Sequence, residues 1–339
     1  MKIWIDFTNT PHVNFLKPII THLQRAHILK FTARDFSETL EMLSMSGIDF
    51  QVVGKHLGKS RIKKSFGILT RIAKLAKLVE HFDISISIGG QNTTPVSFIR
   101  RKPAIVFSDN DIVYKYHSYK FGKYFIFPSY YDASSLRKRY GISEKNIFVY
   151  YGYKEDVYIA DYQPDPDFLS LLPFKEFITI RPENLKASYV PKDAQTIVPQ
   201  LFERFKAENI LFLPRFPEEK EYARGYGNIF IPDQPLNGLD VCYYTKCMLT
   251  GAGTFAREAA ILGTPAVTFF PGKKFLTVDQ IMIKKGMEFK SRDVDEIHAY
   301  VKQAKKNPSQ KQRSREVQKE VFDIIDHIIE LEEASKCES

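Results

Sequence analysis

Short apolar runs alternate along the chain with segments whose apolar residues recur at helical spacing. In the first half the runs fall at 2–7, 29–33, 50–53, 84–88, 104–107 and 124–127. Between them lie patterns such as Phe15, Ile19, Ile20 and Leu23, at i, i+4, i+5 and i+8, which put one apolar face on a helix. Strands separated by helices predict βαβ units and a parallel sheet, and right-handed crossovers wind helices onto both of its faces. The alternation is interrupted at 161–173, DYQPDPDFLSLLP, where three prolines and three aspartates read as an interdomain connection. It then resumes, with strands expected at 177–180, 210–213, 229–231, 248–250 and 266–270 and helices at about 192–208, 254–262, 276–285 and 293–306. A last helix is expected over 311–334, where Val317, Val321, Ile324, Ile325, Ile328 and Ile329 form one stripe. The fold class is therefore α/β, with two doubly wound domains at 1–165 and 174–310. A C-terminal helix at 311–335 is expected to pack back across them.

Length and composition agree with this division. The chain has 339 residues, more than one compact core usually takes, and 44% apolar with 26% charged residues is ordinary for a folded protein. No apolar run approaches the roughly 20 residues needed to span a bilayer. The opening MKIWIDFTNTPH has an acid at position 6 and no uninterrupted apolar stretch, so a cytoplasmic location is expected. Cys242, Cys247 and Cys337 form no pair with zinc spacing and are read as reduced structural thiols.

In open parallel sheets ligands bind beyond the carboxyl ends of strands, so the informative loops are 8–14, 89–95, 108–114, 181–189 and 251–255. The strongest signal is CMLTGAGTFAREAAILGTPAV at 247–267. A strand runs into Thr250, Gly251, Ala252, Gly253 and Thr254, and a helix begins near Phe255. Small residues let backbone approach an anion, and the helix start offers free N–H groups with a partial positive charge. Thr254 is a candidate N-cap whose hydroxyl is also suited to a phosphate. Glu258, one turn further on, could accept hydrogen bonds from both hydroxyls of a ribose. Gly251 and Gly253 making only a tight turn, with Glu258 solvated, is the competing explanation.

This segment resembles the nucleotide-sugar motif of the GT-B superfamily, which includes the lipid-linked N-acetylglucosaminyltransferase of peptidoglycan synthesis and the UDP-N-acetylglucosamine 2-epimerases. Glu258 falls at the ribose-binding glutamate of that motif. With MKIWIDFTNTPHVNFLKPII and YYTKCMLTGAGTFAREAAILGTPAVTFFPGK, the chain more closely resembles domain of unknown function family 354 over essentially its whole length. The resemblance implies two Rossmann-like halves facing a central cleft, a UDP-activated sugar as substrate, and no metal or other cofactor. It also shows departures. Epimerases open their second domain with histidine-arginine-arginine-glutamate-asparagine; here the stretch reads Ile180, Arg181, Pro182, Glu183 and Asn184. Their glycine-aspartate-threonine loop corresponds to Gly89, Gly90, Gln91, Asn92, Thr93 and Thr94, which has no aspartate. The transferase has a glycine-rich first loop ending in histidine, and here Thr8, Asn9, Thr10 and Pro11 lead to His12 without the glycines.

Transfer of a sugar with inversion needs a base for the acceptor hydroxyl and a counter-charge for the leaving diphosphate. His12, titrating near neutrality on the loop after the first strand, is the candidate base; its alternative is a solvent-facing helix start. Asp6 is the fallback base, or else organises its loop. Asp109, in Asp109-Asn110-Asp111, is a further catalytic candidate, expected to line the cleft or order its loop rather than hold a metal. Arg181 is a candidate diphosphate ligand, or else pairs with Glu183. Lys273 and Lys274 are weaker candidates for the donor side.

The formal net charge is +9, and seven basic residues with no acid lie between Lys59 and Lys77: Lys59, Arg61, Lys63, Lys64, Arg71, Lys74 and Lys77. The helix expected from Ile62 to Val79 carries Ile62, Phe66, Leu69, Ile72, Leu75, Ala76 and Val79 as its apolar stripe. It covers a sheet, rests on an anionic membrane or meets a lipid-linked acceptor, or does several of these. No nucleic-acid-binding pattern is present. Three functions remain open: a UDP-sugar glycosyltransferase, an isomerase of the 2-epimerase type, and a nucleotide-sugar-binding protein without catalysis.

Overall fold

The computed structural model describes residues 1–36, 38–55, 61–111, 116–186, 190–191, 193–272 and 274–337. Lys59 and Lys273 lie outside them, as do the side chains of 61–65 and of Cys337. The chain divides into two compact units: Met1–Tyr158 with Ser314–Ser339, and Ile159–Arg313.

Unit 1 is built on a seven-stranded parallel sheet. Its strands are β1 (Lys2–Phe7), β2 (Ile28–Asp35), β3 (Gln51–Lys55), β4 (Ile84–Ile88), β5 (Ala104–Phe107), β6 (Tyr124–Pro128) and β7 (Ile147–Tyr150). The order is β3-β2-β1-β4-β5-β6-β7, so the winding reverses between β1 and β4. Every residue of β4, β5 and β6 is buried, as expected for strands covered by helices on both faces. The edge strand β7, IFVY, was not anticipated because only Tyr150 in it is fully buried.

The helix Arg61–Leu78 covers the Trp4 face of this sheet. Ile72, Leu75 and Val79 pack with Trp4, Val53, Phe82 and Val96. Its phase differs from the expected stripe: Phe66 and Leu69 are 65% and 62% exposed, and Ile68 packs inward instead. Arg71, expected on the solvated side, is buried at 3% exposure.

Unit 2 holds a six-stranded parallel sheet: β8 (Ile178–Arg181), β9 (Ile210–Phe212), β10 (Ile229–Phe230), β11 (Met248–Thr250), β12 (Ala266–Thr268) and β13 (Phe289–Lys290). The order β10-β9-β8-β11-β12-β13 reverses between β8 and β11. Ile178, Ile180, Phe202, Phe212, Leu249, Val267 and Ile297 belong to its core.

The last helix, Lys311–Cys337, enters unit 1 at Ser314. Val317, Val321, Ile325, Ile328 and Ile329 are buried along it. Polar contacts fix it there. Ser314 Oγ donates to Asp156, His22 Nε2 lies 2.8 Å from Asp326, and both Lys123 and Tyr124 donate to Glu332. Among the described residues no helix is long and apolar enough to cross a membrane.

Candidate functional site

Each sheet reverses its winding at one point, the place where ligands of doubly wound folds bind. In unit 2 the switch point lies between β8 and β11. The helix Gly253–Ile261 starts directly beyond β11, with Ala252 as its N-cap in extended conformation and no side chain capping it. The expected cap, Thr254, is inside the first turn, and its hydroxyl lies 3.4 Å from Arg257 Nη2. Thr250 Oγ1 instead receives Ala252 N–H at 3.0 Å. First-turn amides have no intrahelical acceptor, so those of Gly253, Thr254 and Phe255 form the anion-attracting end of this helix.

Gly251 is demanded by the protein's own packing, and Gly253 is crowded by it. A Cβ on Gly251 would lie 2.5 Å from Glu183 Cα and 2.8 Å from Glu183 N. One on Gly253 would lie 2.5 Å from Arg257 Nη1, which is itself paired at 2.5 Å with Asp279 in a buried ion pair. The glycines therefore seat the loop against the β8 loop and hold the helix start in place. Their presence is no separate argument for a ligand.

Glu183 is 1% exposed and held from three directions, by Arg292 Nη1 at 2.9 Å, Thr196 Oγ1 at 2.8 Å and Ile197 N–H at 3.3 Å. The ion pair with Arg181 considered from sequence is replaced by this one with Arg292. Arg181 lies over the Phe255 ring at 5.1 Å, beside the first turn of the Gly253 helix. Asn184 Oδ1, on the same loop, is buried with no hydrogen-bond partner among the described residues. Glu258 is 4% exposed, which excludes the solvated position weighed for it. It neighbours Cys242, whose thiol is pushed up by burial and then by the Glu258 charge. Lys274 is exposed.

In unit 1 the corresponding switch point lies between β1 and β4. The helix Thr10–Leu23 follows β1 with Asn9 at its N-cap and Pro11 in its first turn. His12 N–H donates to Asn9 O at 3.0 Å, and its Nδ1 lies 3.2 Å from Thr8 Oγ1. Arg34 ties the loop down, donating to Thr8 O at 2.8 Å and to Asn9 Oδ1 at 3.0 Å. Its guanidinium is held below the ordinary arginine value by burial and by Arg71. Asn92, on the loop after β4, is buried, and its Oδ1 has no partner among the described residues.

Asp6 has a different role from that of a base with access to substrate. It is 1% exposed, and its oxygens accept from Arg71 Nη1 and Nη2 at 2.8 and 2.7 Å and from Thr32 Oγ1 at 2.6 Å. Thr32 in turn accepts from Trp4 Nε1 at 2.9 Å. A carboxylate so filled anchors β1, β2 and the helix Arg61–Leu78, the loop-organising alternative. Asp109 pairs with Lys154 Nζ at 2.7 Å and lines a small cavity with Phe15, Ile88, Phe107, Ser108, Tyr150 and Lys154. The Tyr150 hydroxyl there is pushed well up by burial, then by Asp109, Glu155 and Asp156.

Sequence reading missed Arg34, Lys154, Arg257 and Arg292, and it took Arg71 only as one of a solvated basic run where the structure pairs it with Asp6. Nothing in the local spacing of the sequence marked any of them.

Two doubly wound units with loops at both switch points define a GT-B-like fold, and comparison with known proteins gives the same class. The structure is similar to UDP-GlcNAc 2-epimerase from Methanocaldococcus jannaschii in complex with UDP-GlcNAc and UDP, with a TM-score of 0.71 and 16% identity over 96% of this chain and 100% of that one. It is similar also to UDP-N-acetylglucosamine 2-epimerase from Rickettsia bellii, at 0.68 and 15% over 97% and 96%. The glycotransferase of kitacinnamycin aligns at 0.60 and 11% over 96% and 98%. Residues 1–333 match the family described as protein of unknown function DUF354, and the chain belongs to that family. An uncharacterized protein of Methanocaldococcus jannaschii is 26% identical over 318 residues, covering 89% of this chain and 91% of its own.

Proposed function

We propose that unit 2 binds a UDP-activated sugar at its switch point and that the protein is a glycosyltransferase. The diphosphate lies on the first-turn amides of the helix Gly253–Ile261, with Gly251 and Ala252 in the loop before it. Thr254 offers its hydroxyl, Arg181 supplies the counter-charge, and Glu258 takes the ribose hydroxyls. The observation that carries this reading is the uncapped helix start beside β8, with a buried glutamate one turn along it. A solved relative of the same fold was captured with UDP-GlcNAc and UDP.

For the transfer step His12 is the assigned base. It takes the proton of the acceptor hydroxyl while that oxygen bonds to the anomeric carbon, and the bond from that carbon to the diphosphate oxygen breaks. UDP leaves with its charge on the amides and Arg181. Asp109 keeps Lys154 in place and is not assigned the proton; Asp6 is assigned none. No metal is invoked.

An isomerase is the second reading, favoured by the number of epimerases among the similar structures. Against it, Ile180 is fully buried where the resemblance puts the epimerases' histidine, and the loop after β4 carries Gln91 and Asn92 without an acid.

The test is calorimetric titration with UDP and a panel of UDP-sugars, followed by UDP-release assays. Glu258→Gln should weaken UDP by about tenfold or more, the loss expected for hydrogen bonds to a charged group. His12→Ala should keep donor affinity and lose about 10²–10⁴-fold in turnover. Absence of UDP and UDP-sugar binding would remove the whole reading. Exchange of solvent deuterium into C2 without UDP release would replace the transferase by the isomerase.

A further inference from the structure

Unit 1 carries an apolar and basic face that the proposed chemistry leaves unused. Three neighbouring helices contribute to the layer there: Arg61–Leu78, Thr93–Ile99 and Tyr116–Phe121. Arg100 Nη2 donates to Ala76 O at 2.6 Å, joining the first two, and the rings of Phe98 and Phe121 lie 5.0 Å apart, joining the second and third. Phe66, Leu69, Phe98 and Ile99 stand 61–65% exposed on these helices. Single exposed apolar residues are ordinary on any surface, but four large ones on adjoining helices mark an interaction site.

Within these helices and the residues that close them the charge has one sign. No acid occurs within 61–78, 93–102 or 116–123, whereas Lys74, Lys77, Arg100, Arg101 and Lys120 are all exposed there. We propose that this face docks on an anionic lipid surface. Aromatic and aliphatic side chains enter the boundary between headgroups and acyl chains while lysines and arginines meet the phosphates, so one surface satisfies both halves of the patch. A nucleic acid would use the cations and leave Phe98 and Ile99 in water. The phase of the helix Arg61–Leu78 makes the docking compatible with the fold. Ile72, Leu75 and Val79 cover the sheet while Phe66 and Leu69 point away from it. The proposal does not depend on which reaction the protein carries out.

The experiment is co-sedimentation of the full chain with vesicles of phosphatidylcholine alone or mixed with phosphatidylglycerol, at low and high salt. The chain should bind the anionic vesicles only and be released by salt. The double variant Lys74→Gln/Arg101→Gln should bind about 25-fold more weakly, about fivefold for each cation near the surface. Phe98→Ser/Ile99→Ser should lose at least about tenfold through the apolar area no longer buried. Unchanged thermal unfolding of both variants establishes that the exposed side chains were not needed for folding. No binding to anionic vesicles, or full binding by the serine variant, overturns the proposal. So does light scattering in which the wild type self-associates and the serine variant does not, because a second copy would then cover the face. Retention of an RNA oligonucleotide that the glutamine variant loses and the serine variant keeps would assign the face to nucleic acid instead.

Discussion

Substituting Arg71 by methionine strands the Asp6 carboxylate inside unit 1. Asp6 and Arg71 have side-chain exposures of 0% and 4%, and the guanidinium supplies two of the three donors to the carboxylate. It also donates through Nε to Val53 O at 2.7 Å, so the change releases β3 as well. Removing one partner of such a pair costs about 3–5 kcal/mol, because the remaining charge is buried without compensation. Removing both as Asp6→Leu/Arg71→Met should cost considerably less, since no orphaned charge is left. The readout is specific: the chain has one tryptophan, Trp4, whose indole N–H bonds to Thr32, the third donor's own residue. Tryptophan emission followed through a urea titration therefore reports unit 1. With a slope of about 2–3 kcal/mol per molar urea, the Arg71→Met midpoint should fall by about 1–2 M. A fall of less than about 0.3 M, or a double variant as weak as the single one, would refute the claim that the pair is buried and mutually compensating.

Three further outcomes follow from the structure. Gly251→Ala should cost unit 2 about 1–3 kcal/mol in a denaturant titration followed by circular dichroism, because the added methyl meets Glu183 backbone; equal stability would mean the two loops do not touch. Cys242 and Cys247 are 0% and 1% exposed with thiols pushed up by burial, so iodoacetamide should leave both unmodified, by peptide mapping, until the protein is unfolded. Labelling of either at a free-thiol rate in the native protein would contradict their burial. His27 is held below the ordinary histidine value of 6.5 by burial and then by the amino terminus. The unfolded chain accordingly binds the proton first, so this side chain's contribution is complete above a pH of about 6.5 and is lost as the pH falls below it. His27→Gln should flatten the decline of Tm between about pH 7 and 5, and an unchanged slope would exclude the effect.

Much of the fold was legible because βαβ repetition writes itself locally. β1, β4, β5 and β11 are apolar runs that need no partner to be recognised, and the GAGT turn announces the helix after β11. β7 escaped because a half-exposed edge strand has no continuous apolar signature, and β13 because it has two residues. The helix Arg61–Leu78 was located, but its phase was taken one step off. Phe66 and Leu69 fit an apolar stripe by spacing, and only the packed sheet reveals that Ile68 lies on the inner side. For the candidate site, Glu258 and the Gly251–Thr254 loop were singled out from a local motif, and the structure puts that loop at the end of β11 with Glu258 buried on the helix beyond it. The ion pairs that brace the two units were not legible, because Asp6 with Arg71 and Glu183 with Arg292 span 65 and 109 residues, and ion pairs at that separation leave no periodic trace. The pairing of Arg181 with Glu183, weighed as the alternative to a diphosphate role, rested on proximity in sequence, whereas Glu183 meets Arg292.

The return of the chain into unit 1 at Ser314 has a consequence for biogenesis. The ribosome must finish the whole of Ile159–Arg313 before the helix that buries Val317, Val321 and Ile325 exists. Until then the nascent β7 edge and the surface around His22 wait uncovered, and the second unit is free to mature first. Order of synthesis and order of completion are thus inverted between the two units: the one entered first is the one closed last.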